Sequence, residues 1–294
     1  MKKFCIVMLV LLVLLVAACV LVFALSQNQN AQMPQQPENP LEAVRTQMSE
    51  VDSMRFTMKM NMDVSVFRQE MDVDLAMAGE MTAAPSVAHG QMTMTMGQEE
   101  PTEMEVYMET VNGETVTYVG MPVDGRQVWS TQRGTSAGLG SGLQSDTAEL
   151  LSMIKLAAGT EPEQTSETEL RYTGVIPAEK ICLALQTTGM LTRLEETGML
   201  DAALLNQISG ELEDMPLTVT VDRERQVITG YRLDMTAVVR QILLASLEQS
   251  AAELGLDTKP EEMLEVTAVT TEMTFFDHGL VQPIVIPDAV KTEE

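Results

Sequence analysis

The chain has 294 residues, of which 43 are acidic and 18 basic, giving a formal net charge of -25. So acidic a surface repels nucleic-acid phosphates and anionic lipid headgroups, which argues against a nucleic-acid partner. Two histidines and three cysteines speak against a His-rich zinc site and a disulfide framework.

The first element is a run without charge, Phe4 to Leu25, directly behind Lys2 and Lys3. As a helix it would be roughly 33 Å long, enough to cross a bilayer core. The two lysines stay in the cytoplasm by the positive-inside bias, so everything after Ser26 is expected on the extracytoplasmic side. Three fates of this segment (residues 1–25) stay open. It reads as an uncleaved signal anchor, as a signal cleaved near Ala24-Leu25-Ser26, or as a lipoprotein signal. In the last case Val16-Ala17-Ala18-Cys19 resembles a bacterial lipobox and Cys19 would carry the lipid. The apolar stretch Val20 to Leu25 departs from that pattern, because lipoproteins turn polar soon after the cysteine. Residues 26–39, SQNQNAQMPQQPEN, form a flexible polar linker.

One exported domain, residues 40–294, follows. Pro40 opens a short helix with Leu41, Val44 and Met48 on one face. From Met54 to Val66 apolar and polar residues alternate strictly, the period of a strand with one buried and one wet face. Met71–Met77, Met92–Met96 and Met104–Met108 repeat the pattern. Shorter strands are predicted at Thr115–Val119 and Gln127–Ser130, with a turn at Asp124-Gly125. Beyond the glycine-rich stretch Gly134–Gly142, Asp146 and Glu149 cap a helix carrying Leu150, Leu151, Ile154 and Leu156. Pro177 starts another, with Ile181, Leu183 and Leu185. Two more are marked by Leu200–Ile208, ended at Gly210, and by Val238–Leu247, ended near Gly255. Between them lie a strand at Glu169–Val175 and a hairpin, Leu217–Val221 with Val227–Met235, across Asp222–Arg225. In Leu264–Phe276 the apolar positions shift from even to odd near Ala268, which predicts a bulge. A turn at Asp277-His278-Gly279 leads to a closing Ile284-Val285-Ile286-Pro287 segment.

Ten or eleven strands and four or five helices, with alternation in the strands, define an α+β fold: a large antiparallel sheet, wet on one side, with helices laid on the other. The hairpin LTVTVDRERQVITGYRLDM and the terminal FFDHGLVQPIVIP stretch, behind a tethered helix and a long meander, resemble the LolA/LolB-type lipoprotein-carrier superfamily. The similarity is to its membrane-anchored Gram-positive-type relatives of unassigned function and spans about residues 40–290. The resemblance implies an open half-barrel with helices packed on its concave face and an apolar hollow that in carriers holds acyl chains. It brings no catalytic residues.

The 24 methionines against 4% aromatics are the unusual chemical feature. Met is flexible and polarizable, and suits surfaces that adapt to varied apolar partners. Met58, Met60, Met62, Met92, Met94 and Met96 are therefore the candidate cavity lining, although filling a core that lacks aromatics explains the same residues. Thioethers are also soft Cu(I) ligands, with His89 near Met92–Met96 in sequence. However, sulfurs along one strand stand about 6–7 Å apart, so one ion would need several strands. The acidic clusters lack calcium-loop spacing and the glycine-rich stretch lacks G-K-[ST], so no metal, cofactor or catalytic residue is assigned. His89 and His278 read as surface residues near strand ends and turns, and Cys182 as a small buried apolar residue. The expectation is a non-enzymatic binding protein, tethered to the cytoplasmic membrane of a bacterium and facing outward, for a lipid or other apolar ligand. The alternative is an interaction or sensor module whose half-barrel is filled by its own side chains.

Overall fold

The computed structural model describes residues 40–66, 69–111, 114–123, 125–135, 162–181, 202–254 and 260–291. The Phe4–Leu25 run, Cys19, the linker, Cys182 and the helix expected at Leu150–Leu156 lie outside the described residues. So do Leu183, Leu185, Leu200, Gly255 and most of the Gly134–Gly142 stretch. Among the described residues no helix is long and apolar enough to cross a membrane.

The chain enters through α1 (Pro40–Ser49) and then runs as a meander: β1 (Ser53–Val66), β2 (Gln69–Ala83), β3 (Ser86–Met96), β4 (Thr102–Val111), β5 (Glu114–Val123) and β6 (Arg126–Thr135). A two-residue β7 (Glu163–Gln164) and β8 (Glu169–Ile176) follow, then α2 (Ala202–Ile208), β9 (Met215–Asp222) and β10 (Val227–Asp234). The long α3 (Thr236–Leu254), the single turn α4 (Pro260–Met263), β11 (Leu264–Phe276) and α5 (Asp288–Lys291) complete it. All eleven strands form one antiparallel sheet in the order β6-β5-β4-β3-β2-β1-β11-β10-β9-β8-β7. The outermost strands, β6 and β7, do not pair with each other, so the sheet is unclosed. The first strand meets the last, and both hairpin meanders hang from that central β1–β11 seam.

Local chemistry sets the joints. Asp222 Oδ1 accepts the backbone N–H groups of Glu224 and Arg225, both at 2.9 Å, and so turns β9 into β10. Asp234 Oδ1 accepts the Thr236 N–H at 3.1 Å and caps the start of α3. Thr236 Oγ1 in turn accepts the Val269 N–H at 3.0 Å, which ties the helix to β11. The bulge expected near Ala268 is present. Asp63 pairs with Ala268 and Val64 with Val266, leaving Thr267 as the extra residue. The inward face therefore passes from Leu264 and Val266 to Val269, Thr271 and Met273.

The main core lies between one sheet face, called here the inner face, and the helices. Val44 and Met48 of α1, Leu205 and Ile208 of α2, and Val239 and Ile242 of α3 pack with Met58, Met60, Met62, Leu75, Leu217 and Leu233. The opposite face is not uniformly wet, contrary to the simple reading of the alternation. Over β3–β5 it carries a second apolar cluster, in which Ile284, Ile286 and Val290 cover Val87, Tyr107, Val116 and Tyr118. The closing segment is thus an extended strap laid across the outer face rather than a further strand. Glu109 holds its end through the Lys291 ammonium at 2.9 Å.

The turn that launches the strap corrects the expectation for His278. Its ring is buried, not at the surface, and Nε2 lies 3.0 Å from the Ile228 carbonyl. A carbonyl only accepts, so Nε2 carries a hydrogen and donates it. Nδ1 has no partner among the described residues. Asp277 and Gly279 flank it with φ of 52° and 73°, a bend that Gly adopts freely and Asp tolerates. Gly279 N–H donates to the Ser53 carbonyl at 2.7 Å. Burial holds the His278 pKa below its ordinary value, helped by Arg225, while the Ile228 hydrogen bond, Asp222 and Asp277 oppose the shift. The unfolded chain therefore binds the proton more readily than the folded one, and stability falls as pH drops below about 6.5. Urea unfolding at pH 7 and pH 5 should show this loss, and His278→Gln should reduce the difference between the two pH values. An unchanged difference would show that His278 contributes nothing to it.

Candidate ligand-binding face

The candidate site is built from cross-strand rows on the inner face, since directly paired residues point to the same side. One row runs Tyr172, Val219, Tyr231, Met273, Met58, Met77, Met92 and Met104 across β8 to β4. The next contains Leu217, Leu233, Thr271, Met60, Leu75 and Met94. A third joins Val269, Met62, Val73 and Met96. All six methionines singled out from the sequence therefore share one face in three adjacent rows.

They do not share one environment. Met58, Met60 and Met62 on β1 are 5%, 3% and 1% exposed, inside the packed core. Met92, Met94 and Met96 on β3 are partly buried and rest against that core. Farther along the same face, on β5 and β6, Val119 is partly buried, while Met121 is 40% and Val128 49% exposed. Met121 pairs directly with Val128, so the two form one apolar step at the sheet margin. The inner face thus grades from a filled centre to an open, still apolar edge.

Polar atoms on this face are few. Tyr231 donates its hydroxyl to Met273 Sδ at 3.0 Å, and Met48 Sδ accepts the Ile228 N–H at 3.4 Å. The hydroxyls of Tyr172 and Thr271 are buried and have no partner among the described residues. Burial accordingly holds the Tyr172 pKa above its usual value. A crevice where Met81, Ala88 and Met108 meet has about 10 Å³ of free space, room for about one water and none for an acyl chain. Among the described residues no three His, Cys, Asp or Glu side chains converge as metal ligands.

His89 departs from the sequence reading in two ways. It stands within β3, three residues from its start, and is half-buried rather than at the surface, with Nε2 3.0 Å from Glu105 Oε1. Its ring also stacks on Tyr107 of the outer-face cluster, so it points away from Met92, Met94 and Met96. It therefore cannot complete a copper site with them, because odd and even positions of one strand face opposite ways. Sequence reasoning also missed Met121 as a face residue. Gly120 and Pro122 on either side of it break the alternation, although β5 continues to Val123.

Comparisons with known proteins add little to this geometry. Residues 37–137, which span α1 and the strands β1–β6, match a family of unknown function (DUF6612). No curated protein matches the chain. Among solved structures, the crystal structure of LprF from Mycobacterium bovis is similar at a TM-score of 0.40 and 11% identity, covering 84% of this chain and 94% of that one.

Proposed function

We propose that this protein is a membrane-tethered extracytoplasmic binding protein that holds a lipid or other apolar molecule on its methionine-rich inner face. The N-terminal run supplies the tether, with Cys19 as the candidate lipidation site, and the polar linker gives the domain reach. Met92, Met94 and Met96 contact the ligand, while Met58, Met60 and Met62, two strands away on the same face, form the packed centre beside them. Binding draws on apolar burial, about 25 cal/mol per Å² removed from water, and on the adaptability of thioether side chains. No bond is made or broken. The observation that carries this reading is the continuation of the apolar inner face past the packed core to the paired Met121 and Val128, which stay exposed on a strongly acidic chain.

A second reading draws on a different observation. The near-complete burial of Met58, Met60 and Met62 suits an interaction module filled by its own side chains. Native mass spectrometry of the full chain, extracted gently from membranes, separates the two. A co-purifying lipid adduct that weakens in Met94→Glu is the expected result. Bare protein in repeated preparations would overturn the binding reading and favour the module. The mass of the mature N-terminal peptide reports on Cys19 in the same experiment.

A further inference from the structure

The outer face of β3–β6 holds chemistry that an apolar ligand on the other side leaves unused. Two adjacent rows meet there: His89, Tyr107 and Tyr118 in one, and Gln91, Glu105, Gly120 and Trp129 in the next. Glu105 Oε1 lies 3.0 Å from His89 Nε2 and accepts the Tyr107 hydroxyl at 3.1 Å. The His89 and Tyr107 rings stack at 4.2 Å and 14°, and the Trp129 ring tilts toward Tyr107 at 5.8 Å and 49°. Glu105 and Trp129 stand on either side of Gly120. A Cβ on Gly120 would meet the indole at 2.8 Å, so glycine lets the ring lie down against the strand.

Three properties of this corner select its ligand. First, Glu105 Oε1 is doubly engaged, whereas Oε2 accepts no hydrogen bond among the described residues, and the side chain is 32% exposed. Second, Tyr107 stays protonated, its pKa pushed up to about 12 by burial, by the Glu105 hydrogen bond and by the charges of Glu105 and Glu80. It remains a neutral donor that fixes the carboxylate. Third, Glu103 shares the outer side of β4 with Glu105, while Glu109 farther along is taken up by Lys291, on a chain of net charge -25. An anion is repelled from such a place, and a neutral sugar gains nothing from the field. A cation gains from the carboxylate, from the partly exposed Trp129 ring and from steering by the whole protein.

We infer that Glu105 and Trp129, with buried Tyr107 fixing the carboxylate from below, bind an alkylammonium group, presented as a lysine side chain of a basic polypeptide partner. This site is independent of the apolar ligand on the inner face. Because the chain has one tryptophan, its emission reports on the corner directly. A lysine-rich peptide should shift Trp129 emission saturably, beyond sodium chloride at equal ionic strength. Glu105→Gln should weaken the response about tenfold. Glu103→Gln, which removes the same charge from the same side of β4 outside the corner, should weaken it less than about twofold. Circular dichroism of both variants checks that the sheet is intact, and if Glu105→Gln does not fold, Glu105→Asp, with a shortened carboxylate, replaces it in the comparison. Equal weakening by both substitutions, a response matched by salt alone, or saturation by a neutral oligosaccharide in place of the peptide would overturn the assignment.

Discussion

Met62→Ala is expected to lower the free energy of unfolding by about 3 kcal/mol, and Met94→Ala by less than about 1 kcal/mol. The residue type and the sheet face are the same, so the difference comes from surroundings alone. Met62 is 1% exposed, between Val73 and Val269 in neighbouring strands and within the cluster that the helices complete. Removing three side-chain heavy atoms there leaves a cavity that close-packed neighbours fill poorly. Met94 is partly exposed, so truncation loses less burial and leaves no enclosed void. Urea unfolding with an unchanged slope would measure both values. Equal losses at the two positions would mean that the face is uniformly packed, and the distinction between filled centre and open edge would fail.

Gly79→Ala should cost about 1–3 kcal/mol, more than Gly90→Ala one strand away. The two glycines are directly paired, in the row that also contains Phe56 and Val106. A Cβ on Gly79 would stand 2.5 Å from the His89 carbonyl oxygen and 2.8 Å from the Phe56 ring. The carbonyl belongs to the β3 backbone, held in register by the ladder, so the strands themselves must shift. On Gly90 the nearest obstacle is the terminal methyl of Met77, which can rotate away. Thermal unfolding of the two variants gives the comparison, and a larger loss at Gly90 would contradict the backbone argument.

Much of the architecture was legible in the residues. Strict alternation marked β1 and placed its methionines on one side, because period two admits no other arrangement. The bulge opposite Asp63 was readable from a single change of parity within Leu264–Phe276. The ends of β5 and β6 were not, since Gly120, Pro122 and the polar run Ser130–Gln132 weaken the pattern while neighbouring strands still supply partners. The strap escaped as well. Ile284 and Ile286 alternate like a strand, yet they cover the outer-face cluster without joining the ladder. His278 looked exposed because it sits in a turn, and its burial depends on a β10 carbonyl fifty positions away. The outer-face corner was equally hidden. His89, Glu105, Gly120 and Trp129 come from four strands, and no local spacing links them. Of the candidate site, the shared face of the six methionines was foreseeable. The gradient of exposure along it was not, because it depends on which strands lie at the centre of the sheet.

Methionine oxidation by dilute hydrogen peroxide, mapped by peptide mass, tests the central claim most directly. Thioether oxidation follows solvent access, and each event adds one oxygen to a sulfur. In the native protein Met121 should oxidise first, Met92, Met94 and Met96 more slowly, and Met58, Met60 and Met62 last, on the timescale of unfolding. If Met58, Met60 and Met62 instead react as fast as Met121, the strands do not turn that face into a core, and the binding face built upon it does not exist.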